Sequence, residues 1–230
     1  CTIRKALQQD IPIKMKVALV HDWLIHMRGG EKVLESLAEV FPEATVYTLF
    51  SCRKRLSPTL QKRKIKNSIL HYFPCIRVYY RWLLPFLPFF IRTLRIKPVD
   101  LVISSSHCVA KGIRVPKGAR HISYCHAPMR YLWGFEEEYF GKFPKWLLFL
   151  LRPLFDLLRQ WDVGTSRKVD YFLCNSEAVR NRIRKIYGRE AVVVPPPVDT
   201  QFFRPNSKLT KKDYYLIVSA LTPYKRIDLA

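Results

Sequence analysis

Short apolar runs alternate with stretches of helical periodicity from residue 16 onward, the pattern of a parallel sheet covered by helices on both faces. KVALVHD (16–22) reads as a first strand. GGEKVLESLAEVF (29–41) reads as the helix that returns from it, because Val33, Leu34, Leu37, Val40 and Phe41 share one helical face. TVYTLF (45–50) is a second strand, and DLVISSS (100–106), HISYCH (121–126), DYFLCNS (170–176) and AVVVPPP (191–197) each read as a buried strand feeding a loop. Residues 144–166 form a long helical, aromatic stretch, and SEAVRNRIRKIYG (176–188) a helix opened by a Ser176 cap and closed by Gly188.

Two segments interrupt this rhythm. Residues 51–97 mix helical pieces with proline-broken hydrophobic turns, and PPPVDTQFFRPNSKLTKK (195–212) is a break in composition that marks a domain boundary. YYLIVSAL (214–221) then reads as the first strand of another domain, followed by a turn at Pro223 and a helix start. The expected organisation is a non-native extension over 1–14 ahead of Met15, a Rossmann-like domain over 15–194, a hinge over 195–212, and the opening of a truncated second domain over 213–230.

Charge changes the picture more than composition does. The chain is 49% hydrophobic, enough for a substantial core, but 40 Lys and Arg oppose 18 Asp and Glu. From Ala44 to Val99 there is no acidic residue, and Arg53, Lys54, Arg55, Lys62, Arg63, Lys64, Lys66, Arg77, Arg81, Arg92, Arg95 and Lys97 are all basic. Such a field attracts phosphates, nucleic acid or acidic lipid headgroups, although a charge run is also the ordinary composition of a solvated face. The six cysteines form no C-x-x-C pair and read as small buried hydrophobes of a reducing compartment. No apolar run reaches the roughly 18 to 20 residues of a spanning helix, and WLLPFLPFFI (82–91) and WLLFLLRPLFDLL (146–158) come nearest.

In open parallel sheets, ligands bind outside the carboxyl ends of the strands. The residues expected there are His21 and Asp22, Ser104 to His107, His126 to Arg130, and Asn175 to Glu177. Gly29 and Gly30, between the first strand and its helix, allow close backbone approach to a ligand at a helix N-terminus. They form neither G-x-G-x-x-G nor a P-loop. YCHAPMRYLWG (124–134) is richer: a strand-end histidine, a proline turn, Arg130 and the aromatic Trp133 supply hydrogen bonding, anion pairing and a stacking surface. A core histidine beside a packed aromatic loop is the plain alternative. No zinc-ligand set and no G-x-S-x-G elbow emerge, and Glu31 and Glu39 read as solvent-facing helix charges.

Together these segments resemble the N-terminal half of a family 4 glycosyltransferase of the GT-B fold, close to bacterial mannosyltransferases of O-antigen and envelope polysaccharide synthesis. KVALVHDWL and RGGEKVLESLAEVFP resemble the first strand and glycine loop. SSSHCVAKG, YCHAPMRYLW and CNSEAVRNRIRKIYG match later strand ends, VVVPPPVDTQFFRP the interdomain hinge, and VSALTPYKRIDLA the start of the donor-binding domain. The resemblance implies a retaining hexosyl transfer, mannose favoured, from a GDP- or UDP-linked sugar to a lipid-linked or polysaccharide acceptor, without metal or other cofactor. By matching position it implies His126 as the catalytic cleft histidine that bonds the transferring sugar, Gly29 and Gly30 beside the donor, and Lys225 with Arg226 against the diphosphate, where Ala220 stands at a position usually occupied by Arg. Asp22, Arg130 and Trp133 are the expected acceptor contacts.

The resemblance also gives the basic segment a partner. Arg53, Lys54, Arg55, Lys62, Arg63 and Lys64 are expected to hold the protein peripherally on the anionic cytoplasmic face of the plasma membrane, with no nucleic acid bound. On this reading the chain lacks most of the donor domain and is inactive alone. Two other readings are a basic module that binds nucleic acid or an anionic surface without catalysis, and a non-catalytic partner of a second polypeptide.

Overall fold

The computed structural model describes residues 15–134, 144–205, 213–219 and 227–229. Seven strands form one parallel sheet in the order β3-β2-β1-β4-β5-β6-β7. They are β1 (Val17–His21), β2 (Thr45–Thr48), β3 (Ile65–Asn67), β4 (Leu101–Ser106), β5 (Arg120–Cys125), β6 (Tyr171–Cys174) and β7 (Ala191–Val193). The helices are α1 (Gly29–Val40), α2 (Pro58–Gln61), α3 (Ile76–Tyr79), α4 (Leu87–Thr93), α5 (Lys145–Ser166) and α6 (Glu177–Tyr187). The doubly wound, Rossmann-like architecture expected from the alternation is therefore present.

The period of two along each strand assigns the layers. Val17 and Leu19 of β1, with Leu101 and Ile103 of β4, meet Leu34 and Ala38 of α1 on one face. Ala18, Val20 and Val102 point the other way, into a cluster with Ile76, Leu84, Leu87, Ile91 and Leu158 from α3, α4, α5 and the turn between α3 and α4. Beyond it Phe172 and Cys174 of β6 pack on Val179, Ile183 and Tyr187 of α6. Ser176 caps α6 by accepting from the Val179 N–H, and Gly188 ends it in the left-handed region at φ 63°, where a side chain would be strained.

Three expectations change. β3 was hidden in the basic segment, because three residues give too short a run to show alternation. β7 stops at Val193 rather than running to 197, since Pro195, Pro196 and Pro197 have no N–H to add to the ladder. Residues 214–219, the described part of the strand read over 214–221, carry none and are exposed. Among the described residues no neighbouring strand pairs with them, and an apolar run needs one to become a strand.

The turn after β4 is bound to α5 by a buried charge. Lys111, in a helical turn at Ala110–Gly112, ion-pairs with Asp162 of α5, and both are almost wholly enclosed. The second Asp162 oxygen accepts from Trp133 Nε1 (2.9 Å) and from the Tyr187 hydroxyl of α6 (2.9 Å). Every partner of this carboxylate is a donor, which is what a charge at this depth requires.

Gly112 lets α5 approach that turn. A Cβ built on it would lie 2.4 Å from Cζ2 of Trp161, a ring held inside the layer. Gly112→Ala should therefore destabilise the fold by about 1–3 kcal/mol through overpacking, read as a lower urea midpoint. Adding Trp161→Leu in the same chain should recover part of that loss.

Candidate functional site

The strand order places β1 beside β4, and the chain leaves them in opposite directions along the sheet, β1 toward β2 and β4 toward β5. That divergence opens a crevice at the carboxyl ends of the two strands. His21 closes β1, Ser105 pairs with it in register on β4, and His126 follows β5. All three stand above the α1 face of the sheet, beneath the N-terminus of α1.

Asp22 builds the floor. Its Oδ2 accepts the N–H groups of His107 (2.7 Å) and Cys108 (3.0 Å), and its Oδ1 those of Val109 (2.6 Å) and Ala110 (2.7 Å). His107 Nδ1 adds a contact at 2.9 Å. Burial alone would push this carboxyl up, but the charge of His107 and the hydrogen bonds from it, aided by His21, hold it well below the usual carboxylate range. For His107 burial is again opposed and outweighed, here by Asp22, so its pKa rises, with Arg130 acting against the shift. Asp22 is fully enclosed and its oxygens accept four backbone N–H groups, so it shapes the β4 turn.

Above this floor runs a polar chain. Ser105 Oγ lies 3.1 Å from His21 Nδ1 and 2.8 Å from His126 Nε2. His21 Nε2 has Glu31 Oε1 at 3.9 Å, too far for a hydrogen bond. Glu31 Oε2 accepts the Arg28 N–H at 3.1 Å, fastening the first turn of α1. Glu31 is thus buried in the site, while Glu39 is exposed as expected. Burial opposes the ionisation of Glu31, yet His21 and the backbone N–H groups bring its pKa down.

Gly29 and Gly30 form the first turn of α1, where the helix reading of 29–41 placed them. A Cβ on Gly30 would touch the His126 and His21 rings at 3.5 Å, whereas one on Gly29 would meet nothing within 4 Å. The open side of Gly29 and the unpaired N–H groups of a twelve-residue helix offer space and partial positive charge to a ligand. His126 faces it uncharged: burial, then the charges of His21 and His107, lower its pKa to about 3. The site can therefore accept or donate hydrogen bonds at His126 and receive an anion at α1 without a competing imidazolium there.

Arg130 stands near enough to His107 to oppose its protonation. Trp133 commits its indole N–H to Asp162, and its carbonyl accepts from Arg182 at 2.6 Å. Arg53 donates to the carbonyls of Gln61 and Arg63, and Arg63 to that of Pro42, so these two also brace α2, while Lys54, Arg55, Lys62 and Lys64 are exposed. Lys225 and Arg226 lie outside the described residues. Four of the five described cysteines are buried, none is in a disulfide, and no helix among the described residues is long and apolar enough to cross a membrane.

These features define an α/β domain with a polar ligand crevice at the switch point of its sheet. The chain matches the Glycosyltransferase Family 4 model over residues 27–202 and belongs to that family. Among solved structures it is similar to Anabaena Alr3699/HepE in complex with UDP and glucose, at 14% identity and a TM-score of 0.49, covering 84% of this chain and 48% of that one. The same protein in complex with UDP gives 13% identity and a TM-score of 0.48, covering 80% and 45%. The chain thus spans about half the length of these structures. No curated protein matches it.

The buried histidines set an acid response. His126 and His121 have pKa values lowered to about 3 and about 4, burial being the largest cause for both. Below about pH 6.5 the unfolded chain takes up protons at these rings and the fold does not, so stability rises with pH across this interval. Urea unfolding between pH 4.5 and 6.5 should show that slope, and His121→Asn or His126→Asn should each flatten it, provided the variant keeps its fold at pH 7.

Proposed function

We propose that this chain is the acceptor-side half of a retaining glycosyltransferase that moves a hexose, mannose favoured, from a GDP- or UDP-linked sugar to a lipid-linked or polysaccharide acceptor of the cell envelope. The observation that carries the reading is the family match over 27–202 laid upon a crevice whose ligand-facing histidine is uncharged. In this reaction the bond from the anomeric carbon to the nucleotide diphosphate breaks. The acceptor oxygen bonds the same carbon with its configuration retained, and the acceptor proton leaves with the diphosphate.

His126 would hold a hydroxyl of the transferring sugar, and Gly29 and Gly30 would let the donor lie against the start of α1. Helix N–H groups and the cations Lys225 and Arg226 would stabilise the developing negative charge on the leaving group without a metal. Asp22 would act through the His107 turn, with Arg130 on the acceptor side. Sugar transfer by the full-length protein, supplied with GDP-mannose or UDP-sugars and a membrane extract as acceptor, tests this. His126→Ala and Lys225→Ala should each lower transfer by about 100-fold or more; unchanged rates in both would overturn the assignment.

The acceptor places the enzyme at the cytoplasmic face of the plasma membrane, and the surface supports peripheral binding there. Lys54, Arg55, Lys62 and Lys64 are exposed on the acid-free segment, and Tyr72, Val78, Trp82, Phe86 and Phe89 of its second half, with Trp146, Phe149 and Leu150 of α5, present apolar side chains to solvent. Cations and interfacial aromatics together suit an anionic bilayer. Replacing Arg53, Lys54, Arg55, Lys62, Arg63 and Lys64 by Gln should abolish flotation with anionic vesicles. Undiminished flotation would remove these six residues from the binding surface. A salt-sensitive shift with RNA and none with vesicles would favour the nucleic-acid module.

A further inference from the structure

The chain of contacts beneath α1 has a direction that distances alone do not state. Ser105 has one hydroxyl proton and two imidazole neighbours, at His21 Nδ1 and His126 Nε2. Among the described residues these rings are the side-chain partners of the hydroxyl, so its proton is bonded only if one ring accepts it, and the other ring then donates to the Ser105 oxygen. Two arrangements satisfy the rule, and they leave opposite tautomers on His126.

Glu31 breaks the tie. Its Oε1 is the polar atom that stands opposite His21 Nε2, an otherwise unpartnered buried nitrogen among the described residues. A bare nitrogen lone pair directed at a carboxylate is repelled, whereas an N–H is attracted even at 3.9 Å. The proton of His21 therefore sits on Nε2, and its Nδ1 accepts from Ser105. Ser105 Oγ then accepts from His126 Nε2–H, which leaves His126 Nδ1 bare. The remaining groups do not compete: His107 gives its Nδ1 proton to Asp22, and Asp22 is filled by backbone donors. Among the described residues nothing bonds His126 Nδ1.

We infer that Glu31, acting through His21 and Ser105, sets the tautomer of His126 so that its ligand meets a hydrogen-bond acceptor at Nδ1. Glu31, His21 and Ser105 are positioning residues, and the ligand group selected is a donor such as a hydroxyl, not a phosphate oxygen. The choice of ligand group rests on the ligand-facing role proposed for His126 above; the tautomer itself does not.

The architecture supplies a sharp test. Glu31 Oε2 is held by the Arg28 N–H, so in Glu31→Gln the amide oxygen should keep that place and the NH2 group should face His21 Nε2. His21 would then accept at Nε2, donate from Nδ1 to Ser105, and turn the Ser105 proton toward His126 Nε2. His126 would become protonated on Nδ1.

Two-bond nitrogen–proton correlation spectra of the histidine-labelled protein at neutral pH read this without any substrate. We expect His126 to be mainly Nε2-protonated in the wild type and mainly Nδ1-protonated in Glu31→Gln. In a Ser105→Ala background the Glu31 substitution should no longer move His126. Wild-type His126 protonated on Nδ1, an unmoved tautomer in Glu31→Gln, or a shift that persists in Ser105→Ala would each overturn the inference. The wild-type spectrum alone decides the first of these even if a variant fails to fold. Because no transfer is measured, loss of the glycosyltransferase reading and loss of this one are separate results.

Discussion

The enclosed Asp22 carboxylate is the constraint on which the site depends. It ends the central strand β1 and gathers four consecutive N–H groups from the turn after β4, together with the His107 ring. A buried charge is tolerated only when its lone pairs are filled, so the turn can take few other shapes without leaving an uncompensated carboxylate. That one interaction sets the height of His107 and tightens the β4 end. It also starts the helical turn from which Lys111 reaches α5.

Lys111 and Asp162 extend the same logic outward. Their pair, with Trp133 and Tyr187 as further donors to Asp162, joins the turn after β4, the segment after β5, α5 and α6 around one buried charge. The segment carrying His126 is tied at its start by the His126 N–H to Ser106 carbonyl bond (2.9 Å) and at its far end by Trp133. The crevice is thereby preorganised: the groups that would meet a ligand are held by neighbours that do not.

The α1 face works differently. Gly30 brings the helix backbone onto two histidine rings, and the carboxylate of Glu31 completes the first turn while facing His21. Helix capping and imidazole orientation thus share one side chain, which joins the local structure of α1 to the polar chain through Ser105. In a member of glycosyltransferase family 4, this places the start of α1 and the histidine after β5 on the two sides of one opening.

The sequence by itself determined six of the seven strands, the three long helices and the ends at which chemistry would gather, because these follow from the two periodicities of apolar residues and from Ser176 and Gly188. It also supplied His126, His21, Gly29 and Gly30 as members of the crevice. Only the tertiary structure decided what each polar side chain faces. Glu31 lies on a helix whose pattern gave no sign of its burial, and it turns inward because His21 and the Arg28 N–H are there to receive it. Asp22 carries nothing in its neighbours to announce four backbone donors from residues some 85 positions away. Nothing in the sequence singles out Lys111 and Asp162, although Leu158, Asp162 and Thr165 fall on one inward stripe of α5. Periodicity reports which side of an element is buried; the partner that makes a buried charge tolerable comes from another element, and only folding brings the two together.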